Sequence, residues 1–224
     1  KKTSTNTALL FVTGSGSGEE EIKIIHNIVK NTGIIGAILH DVPNQPLFGG
    51  KTEDEIIAYT FGRYMETQDK SWPLLVPMTK TAVKAMDVVQ EYFKDSEKIN
   101  IEDFVVSGAS KRGWTTWLVS AVDPRVKALA PMVYDNLNLP AQMKHQLDFW
   151  GKYSKQIHDY TEMNFPDMVR KGDGKDLVEL VDPYYYRKDI TQPKLMIMGT
   201  NDPYWPLDAL NIYYEELPGK KYIF

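Results

Sequence analysis

The sequence predicts an α/β fold, a mostly parallel sheet with helices on both faces. Three observations predict it. Short apolar runs alternate with stretches of helical periodicity along the 224 residues, the pattern of consecutive βα units. The run at 33–39 is continuously apolar, as a parallel strand buried on both faces must be. Finally, the run ending in Phe104-Val105-Val106-Ser107 passes through Gly108-Ala109-Ser110 straight into a helical pattern. At this length the chain is one domain, or one domain carrying an insertion.

Composition narrows the function. An apolar fraction of 42% and a charged fraction of 25% are those of a globular protein. With 26 basic and 30 acidic side chains the net charge is −4, so neither nucleic acid nor an acidic membrane surface is an expected partner. No apolar run approaches membrane-spanning length, and no membrane insertion is expected. The absence of cysteine excludes disulfides, thiol catalysis and cysteine–zinc sites. No cofactor or metal is called for.

Residues 8–13 form the first strand, followed by Gly14-Ser15-Gly16-Ser17-Gly18 and a helix opened by Glu19-Glu20-Glu21, acids suited to a helix start. Ile22, Ile25, Ile28 and Val29 mark its apolar face. A dinucleotide fingerprint would need glycine where Glu19 stands, and a P-loop would need Gly-Lys-Ser/Thr; both are missing. The loop is instead suited to supply an oxyanion N–H near Ser15; from this stretch alone, a plain turn is the equal alternative. The strand at 33–39 ends at His40-Asp41, a strand end of the kind that faces the site in α/β sheets. Residues 42–50 read as loop, 53–69 as helix interrupted at Trp72-Pro73, and 78–93 as a long helix with Ala82, Met86, Val89 and Phe93 on one face. The strand at 101–106 and its helix follow. The strand at 126–133 contains Pro131, which suggests an edge or a bulge. Residues 136–192 are too long for a simple crossover and read as a helical, cap-like insertion, with Leu139, Met143, Leu147 and Trp150 on one helix face. A buried strand at 194–198, a helix at 207–217 and a last strand from 221 complete the chain.

The stretch around Ser110 carries the chemistry. A strand, a sharp turn bearing one serine and a helix make a nucleophile elbow, the arrangement of an α/β-hydrolase. Trp114, Trp117, Leu118 and Ala121 supply the helix face. The turn holds a weak hydroxyl nucleophile clear of the backbone and aims the Lys111 N–H at a developing oxyanion. The usual spacing is G-x-S-x-G; here Arg112 fills the second glycine's place and Gly113 comes one later. The plain alternative is Ser110 as an ordinary helix cap. Lys111 and Arg112 read as a solvated helix start, or as contacts for an anionic substrate group. Asp202, in the loop after a late strand, stands where such a fold carries its triad acid.

Five stretches together resemble the PhoPQ-activated pathogenicity-related proteins, a family with a slime-mould proliferation-repressor branch: residues 108–117, Tyr134-Asp135-Asn136-Leu137-Asn138, Asp182-Pro183-Tyr184, Gly199-Thr200-Asn201-Asp202-Pro203-Tyr204 and Leu217-Pro218-Gly219. The resemblance covers most of the chain. It implies an α/β-hydrolase fold, export from the cytosol, Ser110 in the nucleophile position and Asp202 in the acid position. The elbow is also similar to that of glucuronoyl esterases, some of which carry the acid one strand earlier, so Asp135 is the runner-up acid. The four histidines, His26, His40, His145 and His158, all precede Asp202, whereas a hydrolase of this order needs its base after the last strand. The resemblance implies such a histidine just beyond Phe224, and a chain trimmed at both ends. Two functions are therefore expected to compete: hydrolysis of an ester or amide substrate, and non-enzymatic signalling through a cell-surface receptor.

Overall fold

The apolar runs become strands of one sheet. The computed structural model describes residues 6–14 and 18–224. Its strands are β1 (Thr7–Val12), β2 (Ile35–Leu39), β3 (Asp103–Ala109), β4 (Val126–Met132), β5 (Lys194–Met196) and β6 (Lys221–Ile223), in spatial order β2-β1-β3-β4-β5-β6. Every pairing is parallel. β1 shows why its run is continuously apolar. Ala8, Leu10 and Val12 enter the main core on one face, while Leu9 and Phe11 join a smaller core on the other.

The helices are α1 (Glu19–Thr32), α2 (Glu53–Thr67), α3 (Leu75–Tyr92), α4 (Lys111–Val122), α5 (Leu139–Trp150), α6 (His158–Glu162), α7 (Phe165–Lys171) and α8 (Lys175–Val181). α3 runs on into a π-helical turn at Phe93–Glu97. α1 lies on the smaller core and buries only Ile25 fully; Ile22 and Ile28 of its expected apolar face are exposed. α4 is buried on all sides, not on one stripe. Its hydroxyls are satisfied locally: Thr115, Thr116 and Ser120 donate to the carbonyls four residues earlier at 3.0, 2.9 and 2.8 Å.

Two expectations are corrected. β4 is an interior strand despite Pro131. Pro131 pairs with Gly108 in register, and its carbonyl accepts the Ile197 N–H at 3.1 Å. The ladder to β5 is open between the Leu129–Lys194 and Met132–Ile197 pairings, so the missing proline donor falls where no bond is required. Residues 207–217 form no α-helix but two 3-10 turns, Ala209–Ile212 and Tyr214–Glu216. The Ala209 carbonyl, which an α-helix would give to Tyr213, accepts instead from Gln142 Nε2 at 3.0 Å. Tyr213 is drawn into the core, where its hydroxyl donates to Asp135 at 2.8 Å.

The long segment between β4 and β5 is helical, as expected. α7 packs on α5, and α6 and α8 pack on α2. Its anchor is Asp182, a fully buried carboxylate that caps two elements. Asp182 accepts from the N–H groups of Leu139 (2.7 Å), Tyr184 (2.9 Å) and Asn138 (3.3 Å). Burial pushes its pKa up to about 6 against those bonds. Trp114 Nε1 donates to the Val181 carbonyl, tying the same corner to α4.

Candidate active site

Ser110 joins β3 to α4 with φ 56° and ψ −125°, a backbone conformation that L-residues rarely adopt. Its side chain makes no cap bond to the helix, so the plain capping alternative fails. The elbow is held against the end of β4: the Ser110 N–H donates to Met132 O at 2.9 Å. The two glycines are there for close approach. A Cβ on Gly113 would lie 2.8 Å from Met132 O and 3.0 Å from Tyr134 Cβ, and one on Gly108 would lie 2.8 Å from Arg112 O. This explains the departure from the usual spacing, since α4 crosses β4 at 113 and not at 112.

Position 112 is free to carry a long side chain, and it does structural work. Arg112 and Lys111 are buried, not solvated, which overturns that expectation. Lys111 Nζ lies 2.7 Å from Glu53 Oε2 and 3.5 Å from Asp54 Oδ1. Arg112 forks onto Glu53 at 2.8 and 3.1 Å and donates through Nε to Val42 O at 2.6 Å. Glu53 itself has φ 50°, which turns its carboxylate toward both cations. Although its own partial burial works the other way, bonds from Arg112, Lys111 and Gln45 hold its carboxyl well below the usual range. The loop after β1 passes over the same guanidinium; a Cβ on Gly14 would lie 2.4 Å from Arg112 Nη2. One ion cluster thus joins the elbow, the loop after β1, the loop after β2 and the start of α2. Neither cation is left for an anionic substrate. Ser15, expected near the oxyanion, lies outside the described residues.

A cavity of about 380 Å³ opens at the elbow, and both Ser110 and Asp202 line it. Asp202 is held in place by its own loop and by α5. Its Oδ1 accepts the Tyr204 N–H at 2.7 Å. Gln146 Nε2 donates to Tyr204 O at 2.8 Å, and Ser154 Oγ donates to Pro203 O at 2.7 Å. Burial raises the Asp202 pKa while backbone N–H groups of Tyr204 and Trp205 draw it down, with a net rise. Asp135 does not line the cavity. It is buried beneath Tyr213, and burial pushes its pKa up to about 7, helped by the charges of Asp202 and Asp208. No histidine lines the cavity among the described residues. His145 pairs with Asp208 at 2.8 Å and His158 with Asp159 at 3.2 Å; His26 and His40 are exposed. Nothing local marks the structural roles of Glu53, Gln142 or Gln146, whose partners lie far away along the chain.

Residues 1–224 match the family described as PhoPQ-activated pathogenicity-related protein. The chain is 34% identical over 231 residues to autocrine proliferation repressor protein A of Dictyostelium discoideum, covering 97% of this chain and 46% of that protein. It therefore spans about half the length of that relative. Among solved structures, acetyl xylan esterase from Paenibacillus sp. R4 superposes with a TM-score of 0.66 at 16% identity, over 97% of this chain and 66% of that one. Acylaminoacyl peptidase from Pyrococcus horikoshii gives 0.57 at 15% identity, over 97% of this chain and 32% of that one. Both likenesses place the chain in the α/β-hydrolase fold.

Proposed function

The chain belongs to the PhoPQ-activated pathogenicity-related family, and from that premise we propose that it is a serine hydrolase of ester or amide bonds, working outside the cytosol. Ser110 attacks the carbonyl carbon, and the Lys111 N–H and the loop after β1 receive the oxyanion. Asp202 orients the imidazole that takes the serine proton. That base is a histidine outside the 224 residues, since none of the four present lines the cavity. The helical segment 136–192 acts as a cap over the site. The observation that carries this reading is the φ of 56° at Ser110, a strained backbone turned toward a cavity that Asp202 shares. Treatment of the full-length native protein with a fluorophosphonate probe, followed by peptide mapping, tests it. Labelling at Ser110, lost in Ser110→Ala, supports an activated nucleophile; a folded protein that stays unlabelled refutes it.

A second reading has its own support. The relative named a proliferation repressor favours a hydrolase scaffold that signals through a cell-surface receptor. Survival of a proliferation-repressing activity in Ser110→Ala selects this reading, and its loss in the folded variant selects catalysis.

A further inference from the structure

Resting on the hydrolase reading, we infer that the substrate carries a bulky apolar group beside its scissile bond, which the cavity at Ser110 receives, and that Met143 and Ile157 limit the size of that group. The walls are the first reason. Trp114, Leu139, Met143, Ile157, Phe165 and Trp205 line the space, and each is buried. Apolar side chains that face an empty space lack contacts on that side, and an apolar occupant supplies them. At roughly 30 Å³ for each non-hydrogen atom, the cavity of about 380 Å³ has room for about a dozen. An acetyl group would leave most of it unfilled.

The ionic groups of the wall are the second reason, because two of them are satisfied by the protein itself. Lys111 Nζ lies 2.7 Å from Glu53 Oε2 and 3.5 Å from Asp54 Oδ1, and the same Asp54 oxygen accepts the Tyr160 hydroxyl at 3.2 Å. Asp202 gives Oδ1 to the Tyr204 N–H at 2.7 Å and, on the hydrolase reading, serves the imidazole. Affinity for the buried end of a substrate therefore comes from hydrocarbon taken out of water, and a hydroxyl placed there gives up its hydration.

The third reason is that the walls are held in place. Trp114 stacks on Tyr134 with ring centroids 5.0 Å apart, and Phe165 packs against Phe61 at 5.2 Å and Tyr160 at 6.1 Å. α5 is pinned on both sides of Met143: Gln142 Nε2 donates to Ala209 O at 3.0 Å, and Gln146 Nε2 donates to Tyr204 O at 2.8 Å. Walls packed in this way neither close around a small group nor yield to an oversized one. The size of the apolar group is therefore a property of the site, set where Met143 and Ile157 enter it.

A series of neutral esters tests this: methyl acetate, methyl butanoate, methyl hexanoate and methyl 3-phenylpropanoate. Their affinities are measured at pH 7 by ligand-observed NMR titration of the full-length Ser110→Ala protein, which lacks the nucleophile. Affinity is expected to rise about threefold with each methylene up to the hexanoate and to be highest for the phenylpropanoate. Methyl 6-hydroxyhexanoate is expected to bind about fivefold or more weakly than methyl heptanoate, which has a methyl in place of the hydroxyl. Adding Ile157→Trp fills the space and should cut phenylpropanoate affinity about tenfold or more. Should that variant fail to fold, Met143→Ala widens the space instead, and methyl 3-(2-naphthyl)propanoate should then bind about threefold or more tighter than the phenyl ester. Affinity that does not grow with apolar size overturns the inference, as does a hydroxy ester that matches its methyl counterpart, or the binding of no probe at all. So does a folded Ile157→Trp protein with unchanged phenylpropanoate affinity or, in its stead, a Met143→Ala protein that still prefers the phenyl ester. The fluorophosphonate result is independent. An unlabelled Ser110 with the ester order intact removes catalysis and leaves the apolar subsite standing; a labelled Ser110 without the order does the reverse.

Discussion

Replacing Asp135 with Asn should shift stability in the variant's favour by an amount that grows with pH. Asp135 is 7% exposed, and the Tyr213 hydroxyl donates to it at 2.8 Å. Burial, followed by repulsion from Asp202 and Asp208, raises its pKa from 3.8 to about 7. Below pH 4 the folded and unfolded chains both hold this proton, so the group contributes nothing. Between pH 4 and pH 7 the unfolded chain has released it while the folded chain retains it, so stability falls as pH rises. Above pH 7 both forms are ionised and the penalty is constant. A rise of about three pKa units corresponds to about 4 kcal/mol at the plateau. The asparagine keeps the acceptor for Tyr213 and cannot ionise. The cost of its extra donor is the same at every pH and drops out of the comparison. Urea unfolding of both proteins at pH 4, 5, 6, 7 and 8 reads the difference directly. The variant should gain steadily on the wild type up to about pH 7 and then hold. A difference that stays flat across the range, or grows toward acid, refutes the reasoning. The same argument bears on catalysis, because a carboxyl that keeps its proton near neutrality is poorly suited to orient a cationic imidazole.

On the hydrolase reading, Asp202→Asn should slow fluorophosphonate labelling of Ser110 by about a hundredfold or more, whereas Asp135→Asn should leave the rate within about fivefold. A larger loss in Asp135→Asn than in Asp202→Asn would reverse the assignment of the acid. Glu53→Ala should cost about 3 kcal/mol in urea unfolding, the low end for a broken buried pair, because Glu53 is 44% exposed while Lys111 and Arg112 are buried. A loss below about 0.5 kcal/mol would mean that the cluster is only a surface bridge. Ser110→Gly should raise stability by about 1 kcal/mol by relieving the backbone at φ 56°, with labelling abolished; destabilisation would show the strain is absent. Gly113→Ala should destabilise by about 2 kcal/mol or more, since its Cβ meets the Met132 carbonyl at 2.8 Å, and a neutral effect in thermal unfolding would contradict that contact.

The elbow was legible because it is local. Strand, turn and helix follow one another within residues 103–122, so their order and periodicity are carried by neighbours a few positions apart. The two glycines and the serine announced a turn whose backbone the structure then shows at positive φ. The loop carrying Asp202 was legible for the same reason. The 3-10 turns after it were not. Helical periodicity at 207–217 is a local signal, and a glutamine 67 residues earlier overrides it by taking the Ala209 carbonyl. Pro131 misled in a similar way, because a strand's place in a sheet depends on which neighbour stands beside the missing donor.

What the sequence by itself determined is the alternation of strands and helices, the parallel sheet, and the positions of Ser110 and Asp202 at the ends of two strands. These follow from periodicity, turn chemistry and order along the chain. Only the tertiary structure decided the state of the charges. Lys111 and Arg112 read in sequence as a solvated helix start, yet Glu53, 58 and 59 residues away, takes both out of solvent. Likewise, Asp135 and Asp202 are the same residue type in similar loops, but one is locked under Tyr213 and the other faces the cavity. Burial and the pairing of charge belong to the packed chain, because they depend on which distant side chains are brought within a few ångströms.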